Sequence, residues 1–83
     1  MQIEYSKEAI KYLNKLDSSA KIRLKKAFDR LSNEPPSGDI KSLQGQKNLY
    51  RLRVGDLRVL FSINSASDII LVNKIVPRGE AYK

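Results

Sequence analysis

The stretch 50-YRLRVGDLRVLF-61 carries three arginines, Arg51, Arg53 and Arg58, among residues that alternate apolar and polar. A guanidinium stays charged and presents a planar fork of donors that fits phosphate oxygens in pairs. The chemistry open to such a cluster is phosphate binding and stabilisation of negative charge as it develops on phosphorus. The C-terminal stretch 76-VPRGEAYK-83 adds a further arginine, Arg78, and a phenol, Tyr82. A tyrosine ring can stack on an unstacked RNA base, and its hydroxyl can carry a proton, less readily than an imidazole. Other chemistries are excluded. The chain has no histidine and no cysteine, so His-based acid–base work and Cys/His metal sites are out of reach. It has no Gly-rich phosphate loop and no nucleophile elbow. Its serines fall at caps and turns with no base beside them. No cofactor and no metal is called for.

The total charge points the same way. Sixteen Lys+Arg against nine Asp+Glu leave +7 on 83 residues. A surplus of that size favours a polyanionic partner: nucleic acid, an acidic protein or an anionic membrane. The plain alternative is a solubilising charge with no such partner. The length implies one domain over residues 1–83, with a small core and modest stability. With 41% hydrophobic and 30% charged residues the composition is that of a folded domain, which argues against disorder. No apolar run approaches the roughly 18 residues of a membrane span. The opening MQIEYSKEAIKYL has an acid at position 4 and does not read as a signal peptide. A small cysteine-free fold suits a reducing cytoplasm, which is the expected location.

These side chains need elements to place them. Gln2-Ile3-Glu4-Tyr5 alternates and reads as an opening strand. Ser6 is a good helix N-cap, and Ala9, Leu13 and Leu16, with Ile10 beside them, follow at helical spacing. Asp17-Ser18-Ser19 interrupts this helix and caps a second, in which Ala20, Leu24, Ala27, Phe28 and Leu31 form one apolar stripe. The tight turn predicts an antiparallel helical hairpin. Asn33-Glu34-Pro35-Pro36-Ser37-Gly38 ends it, since prolines cannot continue a helix and glycine permits a positive φ. Residues 39–48 are polar, anchored by Ile40 and Leu43, and read as a loop with a short helical turn as an option. Three strand-like runs follow, at about 49–54, 57–63 and 69–76. The order is β-α-α-β-β-β: an α+β fold with the helical hairpin packed on one face of a mainly antiparallel, twisted sheet.

A two-residue loop at Gly55-Asp56 fixes the pairing of the first two of these runs. Val54 then faces Leu57, Arg53 faces Arg58, Leu52 faces Val59, Arg51 faces Leu60 and Tyr50 faces Phe61. Opposed residues share a face. Tyr50, Leu52, Val54, Leu57, Val59 and Phe61 therefore face the helices, and Arg51, Arg53, Arg58, Leu60 and Ser62 face away. Opposed like charges destabilise a sheet by up to ~1 kcal/mol. Fanning of the guanidinium groups into water, where screening is strong, would relieve this for one arginine. Three on one small patch favour a phosphate-binding face.

The string YRLRVGDLRVLFSI, followed by a hydrophobic strand and PRGEAYK, resembles the RelE branch of the RelE/ParE toxin superfamily. The helix pair with its Pro-rich break and the lead-in KSLQGQKNLYRLR are similar too, so the resemblance spans essentially the whole chain. It implies a toxin of a type II toxin–antitoxin pair. RelE-like members are small basic ribonucleases that enter the ribosomal A site and cut mRNA there. By position, the resemblance makes Arg51, Arg53, Arg58, Arg78 and Tyr82 catalytic, with Lys41, Lys47 and Lys83 as further RNA-binding candidates. The implied reaction is attack of an RNA 2′-hydroxyl on the adjacent phosphate. Without histidine, such an enzyme gains from a ribosome that holds the RNA in line. The implied partners are a cognate antitoxin whose acidic segment wraps the toxin, the ribosome with its mRNA, and operator DNA indirectly through the antitoxin; no membrane is implied. The ParE branch inhibits DNA gyrase and usually lacks the terminal arginine–tyrosine pair, so Arg78 with Tyr82 favours RelE. Many relatives carry a histidine or second basic residue beside that arginine, where this chain has Pro77 and Gly79. The alternatives are a ParE-like gyrase inhibitor and a catalytically silent corepressor that acts with its antitoxin.

Overall fold

The computed structural model describes residues 1–33, 35–43, 45 and 47–77. Among these the order is β1 (Gln2–Tyr5), α1 (Lys7–Lys15), α2 (Ser18–Leu31), β2 (Asp39–Ser42), β3 (Leu49–Val54), β4 (Leu57–Asn64) and β5 (Ile69–Pro77). The strands form one sheet in the order β1-β5-β4-β3-β2. β1 joins β5 in parallel, and the other neighbours pair antiparallel. This is the expected α+β arrangement with one strand more. Residues 39–42, read from sequence as loop, are the edge strand β2, paired from Asp39 opposite Arg53 to Ser42 opposite Tyr50. An edge strand needs few apolar residues; of its four, only Ile40 packs on the core.

The helices begin where their caps say they should. The Ser6 hydroxyl accepts the Ala9 N–H at 3.0 Å and the Asp17 carboxylate accepts the Ala20 N–H at 2.8 Å. α1 lies against β5 and α2 against β3. The α2 stripe Ala20, Leu24, Ala27, Phe28 and Leu31 is buried throughout. In α1 only Ala9 is fully buried, while Leu13, and Leu16 at its C-cap, pack at the core's margin. Ile10, grouped with them from its spacing, is instead 46% exposed. The sheet supplies Leu52, Val59, Phe61, Ile70, Val72 and Ile75 to the core. Each such side chain contributes about 1.5–3 kcal/mol through the water-exposed area it removes.

Two local devices set which residues reach the other face. Gly55 has φ +58 and Asp56 does not share it, the sign pattern of a II′ hairpin turn. The pairing is then the expected one, from Val54 opposite Leu57 through Arg53 opposite Arg58 to Tyr50 opposite Phe61. The second device is a bulge in β5. Leu60 pairs with Lys74 but Phe61 pairs with Val72, so Asn73 is the extra residue. Val72 and Lys74 would share a face in a regular strand; the bulge leaves Val72 in the core and turns Lys74 to the far side. Ser6 holds the bulge, donating from its hydroxyl to the Asn73 carbonyl at 2.7 Å, while Asn73 Nδ2 donates to Ser62 Oγ at 3.3 Å.

Candidate active site

The face of the sheet turned away from the helices is built in cross-strand rows. One row runs Asp39, Arg53, Arg58, Val76; the next runs Lys41, Arg51, Leu60, Lys74. Five basic residues from four strands thus occupy two adjacent rows. Arg53 and Arg58 face each other directly, as their register requires.

The three hairpin arginines are not equivalent. Arg53 is exposed and Arg58 half-buried, but Arg51 is only 7% exposed. Both Arg51 and Arg53 reach across to Asp39 on β2. Arg53 Nε donates to Asp39 Oδ2 at 2.9 Å, and Arg51 Nη1 donates to Asp39 Oδ1 at 3.3 Å and to the Asp39 carbonyl at 3.2 Å. The Arg53 hydrogen bond above all, with that of Arg51 and the charge of both, holds the Asp39 carboxyl below its ordinary range. One carboxylate therefore relieves much of the repulsion among these arginines. It was missed because the strand that delivers it was read as loop. The available signal was the alternation of Asp39-Ile40-Lys41-Ser42, with Ile40 as its one inward apolar residue.

The remaining sequence candidates fall in three places. Lys41 stands on β2 opposite Arg51, exposed on the same face. Lys47 is exposed in the turn before β3, away from these rows. Arg78, Tyr82 and Lys83 lie outside the described residues. Sequence reasoning did not select Lys74. It is exposed, and its 3.9 Å pairing with the still more exposed Glu8 holds it weakly. Its signal is a single lysine inside the apolar run IILVNKIVP, placed outward only by the bulge at Asn73.

A concavity of about 610 Å³ at the other end of this face is lined by Glu4, Asn48, Ser62, Asn64, Ile69 and Leu71 among others, without a cation. It does not offer the chemistry of the arginine rows. Among the described residues no group of His, Cys, Asp and Glu could hold a metal ion, and no helix is long and apolar enough to cross a membrane. What the rows can do is bind an extended anion and stabilise charge on it, with Arg53 and Arg58 as the facing donors.

Comparison with known proteins gives the same direction. The family model of the ParE toxin of the type II toxin–antitoxin system parDE matches residues 3–82. The chain is 33% identical over 84 residues to the putative toxin RelE1 of Methanocaldococcus jannaschii, covering 98% of this chain and 93% of that protein. It is 27% identical over 86 residues to toxin RelE3 of the same organism, covering 99% and 96%. The toxin chain in the crystal structure of the archaeal RelE–RelB complex from Pyrococcus horikoshii OT3 superposes with a TM-score of 0.83 at 33% identity, over 96% of this chain and 97% of that one. The isolated E. coli RelE toxin shares the fold at a TM-score of 0.80 and 20% identity, over 98% and 89%. A match over nearly the whole length to the family model, with RelE proteins as relatives, places the chain in the ParE toxin family of the RelE/ParE superfamily: it is a RelE-like toxin of a type II toxin–antitoxin system.

Proposed function

We propose that this toxin is an endoribonuclease that cuts mRNA in the ribosomal A site. The observation that carries the proposal is the facing pair Arg53 and Arg58 on the sheet face opposite the helices. The reacting 2′-oxygen attacks the adjacent phosphorus as the bond to the 5′-oxygen breaks. The products are a 2′,3′-cyclic phosphate and a 5′-hydroxyl; the 2′-OH loses its proton and the leaving oxygen gains one. Arg53 and Arg58 bind the phosphate and stabilise its developing charge. Arg51, buried behind Asp39, adds charge to the site and tethers that carboxylate. Arg78 completes the charge stabilisation, and Tyr82 orients a base or carries a proton. Lys41, Lys47 and Lys83 hold RNA backbone beside the cut. With no histidine in the chain, in-line positioning of the RNA by the ribosome supplies much of the acceleration.

A cognate antitoxin is the natural protein partner. The Pyrococcus relative is a RelE–RelB complex, and a net +7 suits an acidic wrapping segment. Operator DNA is reached through that antitoxin. The site of action is the cytoplasm, and residues 1–83 act as one toxin domain.

Because the matching family model is that of ParE, gyrase inhibition is the second reading. Two assays on one protein preparation separate them. The endoribonuclease cleaves message on programmed ribosomes and leaves gyrase supercoiling of plasmid unaffected. Inhibited supercoiling with intact message on ribosomes would replace this proposal with the second. Intact message, active gyrase and no growth arrest on induction would leave only the silent corepressor.

A further inference from the structure

We propose that the cleft between α2 and the hairpin turn is a second phosphate-binding subsite, which takes the RNA backbone beyond the nucleotides held at Arg53 and Arg58. The inference rests on the RNA-directed function proposed above. The cleft, of about 270 Å³, is lined by Arg23, Lys26 and Arg30 from α2 and by Asp39, Arg53 and Gly55 from the sheet side. The three helix cations are spaced i, i+3, i+7, so they share one face of α2. At 1.5 Å rise per residue they extend over about 10 Å along its axis. All three are exposed, and none forms an ion pair among the described residues. The one carboxylate in the lining, Asp39, is already shared by Arg51 and Arg53.

The turn is shaped around the first of these cations. A Cβ on Gly55 would stand 3.0 Å from Arg23 Nη1, so the absent side chain leaves room for the guanidinium over the turn. Of the apolar side chains in its lining, Ala27 and Leu52 are each only 2% exposed and Val54 is half-buried. The cleft thus presents charge with Val54 as its one partly exposed apolar side chain and with no aromatic ring among the described residues of its lining. Peptides bind tightly through buried apolar and aromatic anchors, whereas a sugar–phosphate backbone needs a positive groove to track. Arg53 belongs both to this cleft and to the facing pair, so one strand can pass from Arg58 over Arg53 to Arg30, Lys26 and Arg23 without leaving positive surface.

The test is equilibrium binding of a labelled single-stranded RNA of about ten nucleotides across a salt series. The proteins are the wild type and the combined variant Arg23→Ala, Lys26→Ala, Arg30→Ala. Each phosphate contact on a single strand contributes about 0.7 to the slope of log affinity against log salt. Loss of three makes the variant's slope shallower by about 2. Between about 50 and about 200 mM salt, the wild type then loses roughly 20-fold more affinity than the variant. A trinucleotide, too short to reach the cleft, binds both alike. Lys26→Ala alone, shallower by about 0.7, serves if the combined variant melts early.

Equal slopes in wild type and both variants would overturn the subsite. Arg58→Ala separates its failure from that of the cutting site. If Arg58→Ala weakens the trinucleotide and the helix variants change nothing, only the cleft is wrong. If the helix variants flatten the slope and Arg58→Ala is silent, the cleft stands and the hairpin assignment falls. An acidic peptide that outcompetes the RNA, and loses more in the variant, would assign the cleft to a protein and overturn the proposal. Co-sedimentation with ribosomes gives the source of the phosphates. Weakening only when message is present assigns the cleft to the messenger strand, and weakening without message assigns it to ribosomal RNA.

Discussion

Asp39 sets the state of the arginine cluster in the free protein. Its carboxylate stands where an RNA phosphate would stand for Arg53, 2.9 Å from Nε. An anion that binds Arg53 must displace or share that contact. Asp39→Asn therefore has opposed effects. It frees positive charge, and binding of single-stranded RNA is expected to tighten roughly 2- to 5-fold, the size of one exposed ion pair. It also leaves the buried Arg51 with a weaker acceptor, so the melting temperature is expected to fall. The pH dependence has a definite sign. The folded protein holds Asp39 below its ordinary value of 3.8. Its stabilising contribution is then fully present above that value and is lost as pH falls through the lower, folded value. Thermal melts of wild type and Asp39→Asn should differ at neutral pH and converge in acid below 3.8. An undiminished gap there would show that Asp39 does not act through its charge.

At the scale of elements, the edge strand β2 is what sequence patterns conveyed least and the site depends on most. Its entry is Gly38, at φ +135, where a Cβ would come within 2.9 Å of Leu52 Cδ1. Leu52 is locked in the core and cannot move aside. Gly38→Ala is expected to lower the unfolding free energy by about 1–3 kcal/mol, read from urea denaturation. A variant as stable as wild type would mean that β2 enters the sheet differently. The hairpin was legible because one glycine, Gly55, pins a two-residue turn, and every pairing through to Tyr50 and Phe61 follows from it. The α2 stripe was legible because all five of its apolar positions are core positions. β2 was not, because a short edge strand needs a single inward residue. The bulge was not, because nothing in Val72-Asn73-Lys74 announces an extra residue; the Ser6 contact that holds it comes from far along the chain. Ile10 misled for a related reason: α1 rests near the edge of the sheet and buries a narrower stripe than its spacing suggested.

On the scale of the whole molecule, the helices cover one side of the sheet and carry eight of the sixteen Lys+Arg, while five more stand on the opposite face of the sheet. The cations of the sheet rows and those of the α2 cleft meet at Arg53, which belongs to both. Such a surface attracts any polyanion, so binding alone does not distinguish a nuclease from a passive binder. Chemistry does. The decisive measurement is primer extension on a message held by ribosomes with an empty A site, comparing wild type with Arg58→Ala. The expected result is a new end within the A-site codon for wild type, absent without ribosomes, and a cleavage rate lower by about 100-fold or more for a folded Arg58→Ala, the effect of losing one donor to the developing charge. Cleavage by Arg58→Ala at the wild-type rate, or no new end with wild type, would contradict the account.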